Sequence, residues 1–167
     1  MIELKNIYFG YKGKNTVIHD VSLTINAGDF IAVAGRNGSG KTTLTRLIMA
    51  LLKPSAGEIL FQNSIIANVT PAKMAHHIGY VFQNPDRQIF HDTVADETAY
   101  GPKQLGYKPE EIKTFVKEAL AVTGLSELAD AYPLSLSKGQ KQRLTIASAL
   151  AMQPQMLILD EPTSGQD

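Results

Sequence analysis

Two stretches near the N-terminus alternate apolar and polar residues. Residues 2–9 read IELKNIYF and residues 16–25 read TVIHDVSLTI, with a Gly- and Lys-containing turn between them. Successive side chains of a strand point to opposite faces, so this alternation predicts two half-buried strands. We expect these strands to form an antiparallel β portion at the N-terminal end of the fold.

Other stretches are short and almost continuously apolar. Residues 30–34 (FIAVA) predict a central strand that is covered on both faces, and residues 156–159 (MLIL) predict a last buried strand. Two more short strands are expected at 57–61 and 78–82. Each of these runs has the length of a strand rather than that of a helix.

Helical patterns follow several of these strands. One runs from Lys41 to Leu52, where Lys53-Pro54 should end it because proline cannot continue a helix. Another runs from about Lys138 to Met152. Thr70 before Pro71 has the pattern of an N-cap and a first helical position.

Between 84 and 136 the chain carries fewer strand runs and more helix signals. Pro109 with two following acids is typical of a first helical turn, and Gly124 stands where a C-terminal cap is expected. Strands that alternate with helices predict a mainly parallel α/β core. The stretch 84–136 then reads as a helical insertion into that core.

Composition and charge narrow the class of protein. The 167 residues suit one domain, and 16 basic residues balance 16 acidic ones. No overall field therefore favours nucleic acid or an anionic bilayer. The chain has no cysteine and no apolar run near the roughly 20 residues that span a bilayer, and it begins with no signal-peptide pattern. We expect a soluble chain that reaches a membrane only through a partner.

Residues 35–42 read GRNGSGKT, which is the phosphate-loop pattern. Its glycines permit backbone angles that aim successive N–H groups into one concave nest, and the following helix adds its positive N-terminal end. The Lys41 ammonium can reach the β- and γ-phosphates, and the Thr42 hydroxyl can bind Mg²⁺. The predicted phosphate-binding residues are Gly35, Arg36, Asn37, Gly38, Ser39, Gly40, Lys41, Thr42 and Thr43.

The strand predicted at 156–159 ends in Asp160 and Glu161. Ligands of parallel sheets lie at the carboxyl ends of the strands, so both carboxylates should face the phosphate loop. Asp160 is expected in the Mg²⁺ shell, and Glu161 is the candidate base for the attacking water. The four histidines show no spacing that suggests a metal site.

Residues 136–140 read LSKGQ and continue as KQRLTIASAL. Together with the loop and the acidic strand end, they resemble the ATP-binding-cassette (ABC) ATPases, whose signature is LSGGQ before a similar helix. The resemblance implies a P-loop NTPase (RecA-like) fold that binds ATP and Mg²⁺ and pairs head to tail. It implies that each signature faces the γ-phosphate of the opposite subunit. The implied signature residues are Leu136, Ser137, Lys138, Gly139 and Gln140.

Further positions match the family in order. Tyr11 matches the aromatic residue that stacks on adenine, and Gln83 matches the glutamine that joins the Mg²⁺ site to the transmembrane partner. The loop that crosses the dimer interface corresponds to Ser164, Gly165, Gln166 and Asp167. Stacking tolerates different bases, so some use of GTP stays open.

Four of these positions have simpler interpretations. Ser137 and Gln140 also fit a capping box, in which a serine and the residue three later satisfy the start of a helix. Tyr11 also fits an aromatic residue that only packs at a strand end. Lys138 replaces the usual glycine, and either supports γ-phosphate binding or points to solvent.

Residues 82–90 read FQNPDRQIF and continue as HDTVADETAYGPKQLG. This resembles the ATPases of energy-coupling-factor importers, and implies import of a vitamin, a vitamin precursor or a metal ion. The resemblance implies a transmembrane subunit contacted through about 83–106, a separate substrate-binding membrane subunit, and a location on the inner face of the cell membrane. The alternative is an exposed polar loop in which the acids Asp86, Asp92, Asp96 and Glu97 only interact with solvent.

Two other function classes stay open. One is a soluble ABC ATPase that acts on DNA or ribosomes, although no heptad-rich insertion is present. The other is a fragment that binds nucleotide without hydrolysis. In the family a switch histidine follows the acidic strand by some thirty residues, and this sequence ends at Asp167. We expect a single, C-terminally truncated domain, with a core of 1–83 and 154–167 and a helical and signature subdomain of 84–153.

Overall fold

The computed structural model describes residues 2–13 and 15–162 of the chain. They group into two compact units, Met1–Met74 and Ala75–Asp167, which we call the N-terminal unit and the C-terminal unit. Within the described ranges, no helix has both the length and the apolar character needed to cross a membrane.

The N-terminal unit is built on an antiparallel sheet, as the alternating pattern predicted. Its strand order is β2-β1-β3-β4. Their bounds are β1 Ile2–Gly10, β2 Thr16–Ile25, β3 Ala56–Phe61 and β4 Ser64–Ile65. The alternation of β1 shifts by one residue at Asn6, whose φ is +48°, so Ile2, Leu4, Ile7 and Phe9 are all buried. A bulge of this kind keeps the apolar residues on the core side of a bent strand.

Helix α1 (Lys41–Ile48) follows the phosphate loop and buries Leu44, Leu47 and Ile48. The prediction that it ends at Lys53-Pro54 is wrong. Ala50 adopts a left-handed φ of +55°, and the Leu51 N–H donates to the Arg46 carbonyl at 2.9 Å. This bond turns the chain out of the helix before the proline is reached, which is the usual geometry of a left-handed C-terminal cap.

The predicted central strand at 30–34 is wrong for the described structure. These residues form no strand, and Phe30 is 97% exposed, while Ile31 and Val33 are also exposed. A strand requires neighbours that exchange backbone hydrogen bonds with it, and the described strands pair among themselves instead. An apolar run predicts that a segment tends to be buried, but it does not supply the strand that pairs with it.

The C-terminal unit combines helices with a parallel pair of strands. Helix α2 (Pro71–Ala75) leads into it, and the Lys73 N–H donates to the Thr70 hydroxyl, as predicted for an N-cap. The other elements are β5 Ile78–Val81, α3 Val94–Gln104, α4 Pro109–Val122, α5 Lys138–Ala151 and β6 Met156–Leu159. Short 3₁₀ turns lie at Pro85–Arg87, Ser126–Leu128 and Pro133–Ser135.

Strands β5 and β6 run parallel, with Ile78 opposite Met156 and Val81 opposite Leu159. The expectation that β6 is fully buried is wrong, because Leu159 is 41% exposed and only Ile158 of this strand is buried. The helices enclose a separate apolar core, formed by Ile89, Val94, Ala119, Leu120, Leu125, Leu136, Leu144, Ala147 and Ala151. The helical character predicted for 84–136 is therefore confirmed.

Two positions in this unit favour glycine for different structural reasons. Gly124 follows α4 with a left-handed φ of +66°, as predicted for a C-terminal cap. Gly101 lies inside α3, where an added Cβ would stand 2.6 Å from the Met152 Cγ. It therefore permits the close approach of α3 to the end of α5. The described residues group β5 and β6 with the helices, whereas the sequence predicted these strands in the core with 1–83. That predicted division stays a prediction.

Candidate nucleotide-binding site

The phosphate loop lies in the N-terminal unit, between the exposed segment 30–34 and α1. Gly38 and Gly40 have φ values of +80° and +99°, which side chains rarely adopt. A Cβ at Gly40 would also lie 2.8 Å from the Ile18 Cδ1, and one at Gly35 would lie 2.7 Å from the Ser39 Oγ. The backbone shape of this loop therefore favours glycine at Gly38 and Gly40, whereas at Gly35 an added Cβ would meet only the Ser39 side chain.

The Lys41 ammonium bends back over the loop. Its Nζ donates to the carbonyl oxygens of Gly35 and Arg36 at 3.0 and 3.2 Å. Gly40 is the N-cap of α1 and has no side chain that accepts a hydrogen bond from the first turn. A helix start without a side-chain cap, beside a lysine, forms an electropositive concavity suited to phosphate oxygens.

The remaining predicted phosphate-binding residues surround this concavity. Arg36, Asn37 and Ser39 are exposed, Thr42 is half-buried and Thr43 is 7% exposed. Their roles toward a nucleotide stay predictions.

Tyr11 lies beside the start of α1. Its hydroxyl and the Thr43 hydroxyl are 3.3 Å apart, and its ring packs edge-on against Phe9 with centroids 5.0 Å apart. The structure thus places Tyr11 next to the phosphate loop. It also gives Tyr11 packing contacts, which the alternative interpretation expected, so stacking on adenine stays a prediction.

The acidic strand end lies in the C-terminal unit, at the carboxyl edge of β5 and β6. Asp160 is 5% exposed, and its backbone N–H donates to the Val81 carbonyl at 3.0 Å. Its Oδ2 accepts a hydrogen bond from the Tyr80 hydroxyl at 3.2 Å. A buried carboxylate needs such partners, because desolvation alone would disfavour its charge.

Gln83 and Glu161 meet at the same edge. Each stands two residues beyond the last paired residue of its strand, because Val81 lies opposite Leu159. The Gln83 Nε2 donates to the Glu161 Oε2 at 2.6 Å. Glu161 also has a left-handed φ of +51°, an uncommon conformation for a residue with a side chain. The parallel register therefore joins two residues that are 78 positions apart in the chain.

The predicted metal ligands are chemically suited to Mg²⁺. The Asp160 carboxylate, the Thr42 hydroxyl and the Gln83 amide all offer oxygen, which is the donor this hard cation prefers. Asp160 is buried and its carboxylate accepts a hydrogen bond from the Tyr80 hydroxyl, while its role as a metal ligand stays a prediction. Two of these ligands belong to the C-terminal unit and Thr42 to the N-terminal unit.

The signature residues form the start of α5. The Ser137 N–H donates to the Gln140 Oε1 at 2.9 Å, and the Gln140 N–H donates to the Ser137 Oγ at 3.3 Å. The capping box is therefore present, and Leu136 is buried beneath it. Gly139 is different, because a Cβ there would meet nothing within 4 Å. Lys138 is exposed, and the dimer-interface residues Ser164, Gly165, Gln166 and Asp167 lie outside the described residues.

Two contributors were missed by the sequence interpretation. Tyr80 was noted only as part of a strand. It lies opposite Ile158 in the parallel pair, and Asp160 follows Ile158 by two residues, so Tyr80 and Asp160 share a face of the sheet. Lys141 was noted only as helical, yet its Nζ donates to the Asp86 Oδ1 at 2.9 Å. This ion pair ties the turn after Gln83 to α5. It also shows that Asp86 does more than interact with solvent.

The alternative interpretation, in which four acids of this region only interact with solvent, is wrong for Glu97 as well. Glu97 is 4% exposed, and its Oε2 accepts from the backbone N–H groups of Phe90 and His91 at 3.0 and 2.9 Å. Buried carboxylates are held by such donors. Asp96 is half exposed, but its carboxylate also accepts from the Thr93 hydroxyl at 2.8 Å and pairs with the Lys103 ammonium at 3.6 Å.

Comparison with known proteins finds similarity to ATP-binding proteins of ABC transporters. The family model described as ABC transporter matches residues 18–164. Over all 167 residues the chain is 46% identical to an ABC transporter ATP-binding protein of Pyrococcus furiosus, and 44% identical to one of Pyrococcus horikoshii. In both cases the chain spans only 64% of the relative's length.

Two solved structures share this fold. One is cbiO1 from Clostridium perfringens, part of the ABC transporter complex cbiONQ, with a TM-score of 0.90 and 37% identity over 99% of this chain and 67% of that one. The other is a dimeric ATP-binding cassette in a post-hydrolysis state, bound to ADP and Pi. Its TM-score is 0.87, with 31% identity over 100% of this chain and 76% of that one. The predicted P-loop NTPase fold is confirmed by both.

Proposed function

This chain belongs to the ABC transporter ATP-binding family, and from that premise we propose that it binds Mg-ATP and hydrolyses it to power an importer of the energy-coupling-factor type. The observation that carries the proposal is the phosphate loop. Its left-handed Gly38 and Gly40 and the Lys41 ammonium over the loop form a concavity for a triphosphate.

Hydrolysis is assigned to the acidic edge of the C-terminal unit. Glu161 takes a proton from the attacking water, whose oxygen then bonds to the γ-phosphorus while the bond from that phosphorus to the β-bridging oxygen breaks. The products are ADP and inorganic phosphate, and the proton taken by Glu161 is released to solvent. The hydrogen bond from Gln83 orients the Glu161 carboxylate at the position where the water must be held.

Mg²⁺, when bound, neutralises charge on the phosphate oxygens. Asp160, Thr42 and Gln83 are the residues that would hold it. Their oxygens suit this ion, and the burial of Asp160 makes its carboxylate a better prepared ligand than an exposed one.

The active unit in this proposal is a head-to-tail pair of cassettes, either two subunits or two halves of one fused chain. Gly139 supports a role for α5 in trans, because none of the described residues crowds that position although glycine weakens a helix. A closely approaching ligand explains a glycine there. The γ-phosphate held by the opposite cassette is that ligand, and Ser137 and Lys138 lie beside it. The similar dimeric cassette bound to ADP and Pi is in line with such a pair.

The importer assignment is supported by a surface within 83–106. Phe90 is 65% exposed and Tyr100 is 39% exposed, and their rings meet edge-on at 4.9 Å with His91 packed against both. An exposed aromatic cluster on a firmly held loop is typical of a protein-binding surface. We assign it to a transmembrane subunit. That subunit holds the cassette on the inner face of the membrane, and a separate membrane subunit binds the vitamin, vitamin precursor or metal ion.

The variant Glu161→Gln tests the catalytic assignment in the full protein. ATP affinity should stay within about twofold, while turnover falls by a factor of about 10² or more, because the amide cannot accept the proton of the water. The control Glu127→Gln changes an exposed acid remote from the strand edge. Unchanged turnover in Glu161→Gln would remove Glu161 as the base.

The variant Phe90→Ala tests the importer assignment. Co-purification with the membrane subunit should fall, and ATP binding should persist, because Phe90 lies outside the phosphate loop. Tyr132→Ala is the matched control, since Tyr132 is an exposed aromatic residue of the same unit. Recovery of ribosomes or DNA with the wild-type protein, and of no membrane protein, would favour the soluble ABC ATPase instead.

A further inference from the structure

Tyr80 and Asp160 lie on the same face of the parallel pair β5 and β6. Tyr80 is directly opposite Ile158, and Asp160 follows Ile158 by two residues. Side chains two residues apart on a strand share a face, so the Tyr80 ring extends toward the carboxylate. The Tyr80 hydroxyl donates to the Asp160 Oδ2 at 3.2 Å.

Contacts with β5 and the residue that follows it fix both partners of this hydrogen bond. The Asp160 N–H donates to the carbonyl of Val81, the residue after Tyr80. The Tyr80 ring packs edge-on against Phe82, with centroids 4.8 Å apart. The hydroxyl is therefore fixed by ring packing, and the aspartate is fixed at both its backbone and its side chain. With Asp160 only 5% exposed, its carboxylate has little freedom to rotate.

We propose that Tyr80 is a positioning residue for Asp160, whose carboxylate it holds in the orientation that binds Mg²⁺ in the nucleotide complex. The inference rests on the proposed function, because it assigns Tyr80 to the metal ligand of that site. Groups that orient a metal ligand through a hydrogen bond tune its affinity for the ion without touching the ion themselves.

The test is Tyr80→Phe in the full protein, which removes the hydroxyl and keeps the ring. Binding of a non-hydrolysable ATP analogue is titrated against Mg²⁺, and again in EDTA. The Mg²⁺ concentration for half-maximal binding should rise about tenfold, the lower end of the usual effect of losing such a partner. Binding in EDTA should stay unchanged. Tyr107→Phe is the control, because Tyr107 packs edge-on against Phe115 in the same unit.

A double-mutant cycle with Asp160→Asn separates positioning from general damage. If Tyr80 acts through Asp160, then Tyr80→Phe adds nothing to the Mg²⁺ requirement of Asp160→Asn. Additive effects would overturn the proposal. An equal loss of nucleotide binding with and without Mg²⁺ would also overturn it, because the hydroxyl would then act independently of the metal ligand. If nucleotide binding by the wild-type protein depends on Mg²⁺ and Tyr80→Phe shows the same dependence, only this inference is overturned. A wild-type protein that binds no Mg-nucleotide overturns the proposed function with it.

Discussion

Helices α1 and α5 begin at sites that the sequence assigns to the same ligand, the phosphates of a nucleotide, yet they begin in opposite ways. Helix α1 starts from a left-handed Gly40 that offers no side chain to its first turn. Helix α5 starts with Ser137 and Gln140 satisfying each other's backbone N–H groups. Helix α1 therefore starts without a side-chain cap, whereas α5 is capped by its own residues.

In the proposed function, this difference distinguishes a site that binds a triphosphate by itself from one that completes the site of a partner cassette. Around α1, the loop glycines and Lys41 provide many donors in one concavity, which suits independent binding of a triphosphate. In α5, the capping box satisfies the backbone N–H groups of Ser137 and Gln140. The backbone N–H groups of Lys138 and Gly139 lie between them and take no part in the box. A capped helix with a small open surface suits a second contact to a phosphate that is already held.

The largest effect is expected from Lys41→Ala. Hydrogen bonds to charged groups contribute about 1.5–3 kcal/mol, so ATP affinity should fall about 10- to 100-fold. Isothermal titration of the full protein with ATP measures this loss. Lys12→Ala, in an exposed turn after β1, is the matched control and should leave affinity unchanged. Equal losses in the two variants would show that only overall charge matters.

The next effect is expected at the capped helix. Ser137→Ala should lower the free energy of unfolding by about 1 kcal/mol, because it leaves the Gln140 N–H without its cap. Urea denaturation measures it. Gln140→Ala removes the reciprocal bond, and the two losses should not add, since both report one box. Full additivity would mean that the helix start is not a cooperative unit.

Gly139→Ala should separate stability from function at α5. It should raise the free energy of unfolding by up to about 1 kcal/mol, since alanine favours helix and the Cβ meets nothing. The same variant should weaken the ATP-dependent pairing of cassettes, measured by gel filtration of a Glu161→Gln background. Gly101→Ala is the contrast, because its Cβ would press on Met152 and should lower stability instead. Intact pairing in Gly139→Ala would contradict the role of α5 in trans.

The smallest effect concerns a third helix start, that of α3, where Thr93 caps the chain before Asp96. The hydrogen bond from the Thr93 hydroxyl lowers the pKa of Asp96, burial opposes this, and the Lys103 ammonium lowers the pKa further. The resulting stabilisation is present above the ordinary aspartate pKa of about 3.9 and is lost as the pH falls through the lower folded pKa.

Asp96→Asn should therefore destabilise α3 slightly at pH 7, and the difference from the wild-type protein should vanish once the pH falls below the lowered pKa of Asp96. Unfolding followed by circular dichroism across this range measures it. Because Asp96 is half exposed, solvent screening keeps the effect small. A difference that persists at low pH would assign the effect to helix propensity rather than to charge.

Much of this architecture follows from local patterns. The alternation of 2–9 and 16–25, the glycines of 35–42 and the Ser137–Gln140 spacing each encode a local structure, and the structure contains all three. The wrong prediction of the end of α1 also has a local cause. The helix ends at a left-handed Ala50, and alanine is an unusual residue for such a cap, so the sequence did not indicate it. The failure at 30–34 was not local, because its strand required a partner that composition does not reveal.

The sequence by itself determined where phosphate-binding, acidic and signature residues stand along the chain, because glycine conformations, strand ends and caps depend on neighbours a few positions apart. Only the tertiary structure decided which distant residues meet. The parallel register of β5 and β6 brings Gln83 to Glu161 and Tyr80 to Asp160, and the packing of α5 brings Lys141 to Asp86. Such pairs depend on strand register and helix packing over 55 to 80 positions, which no local pattern specifies.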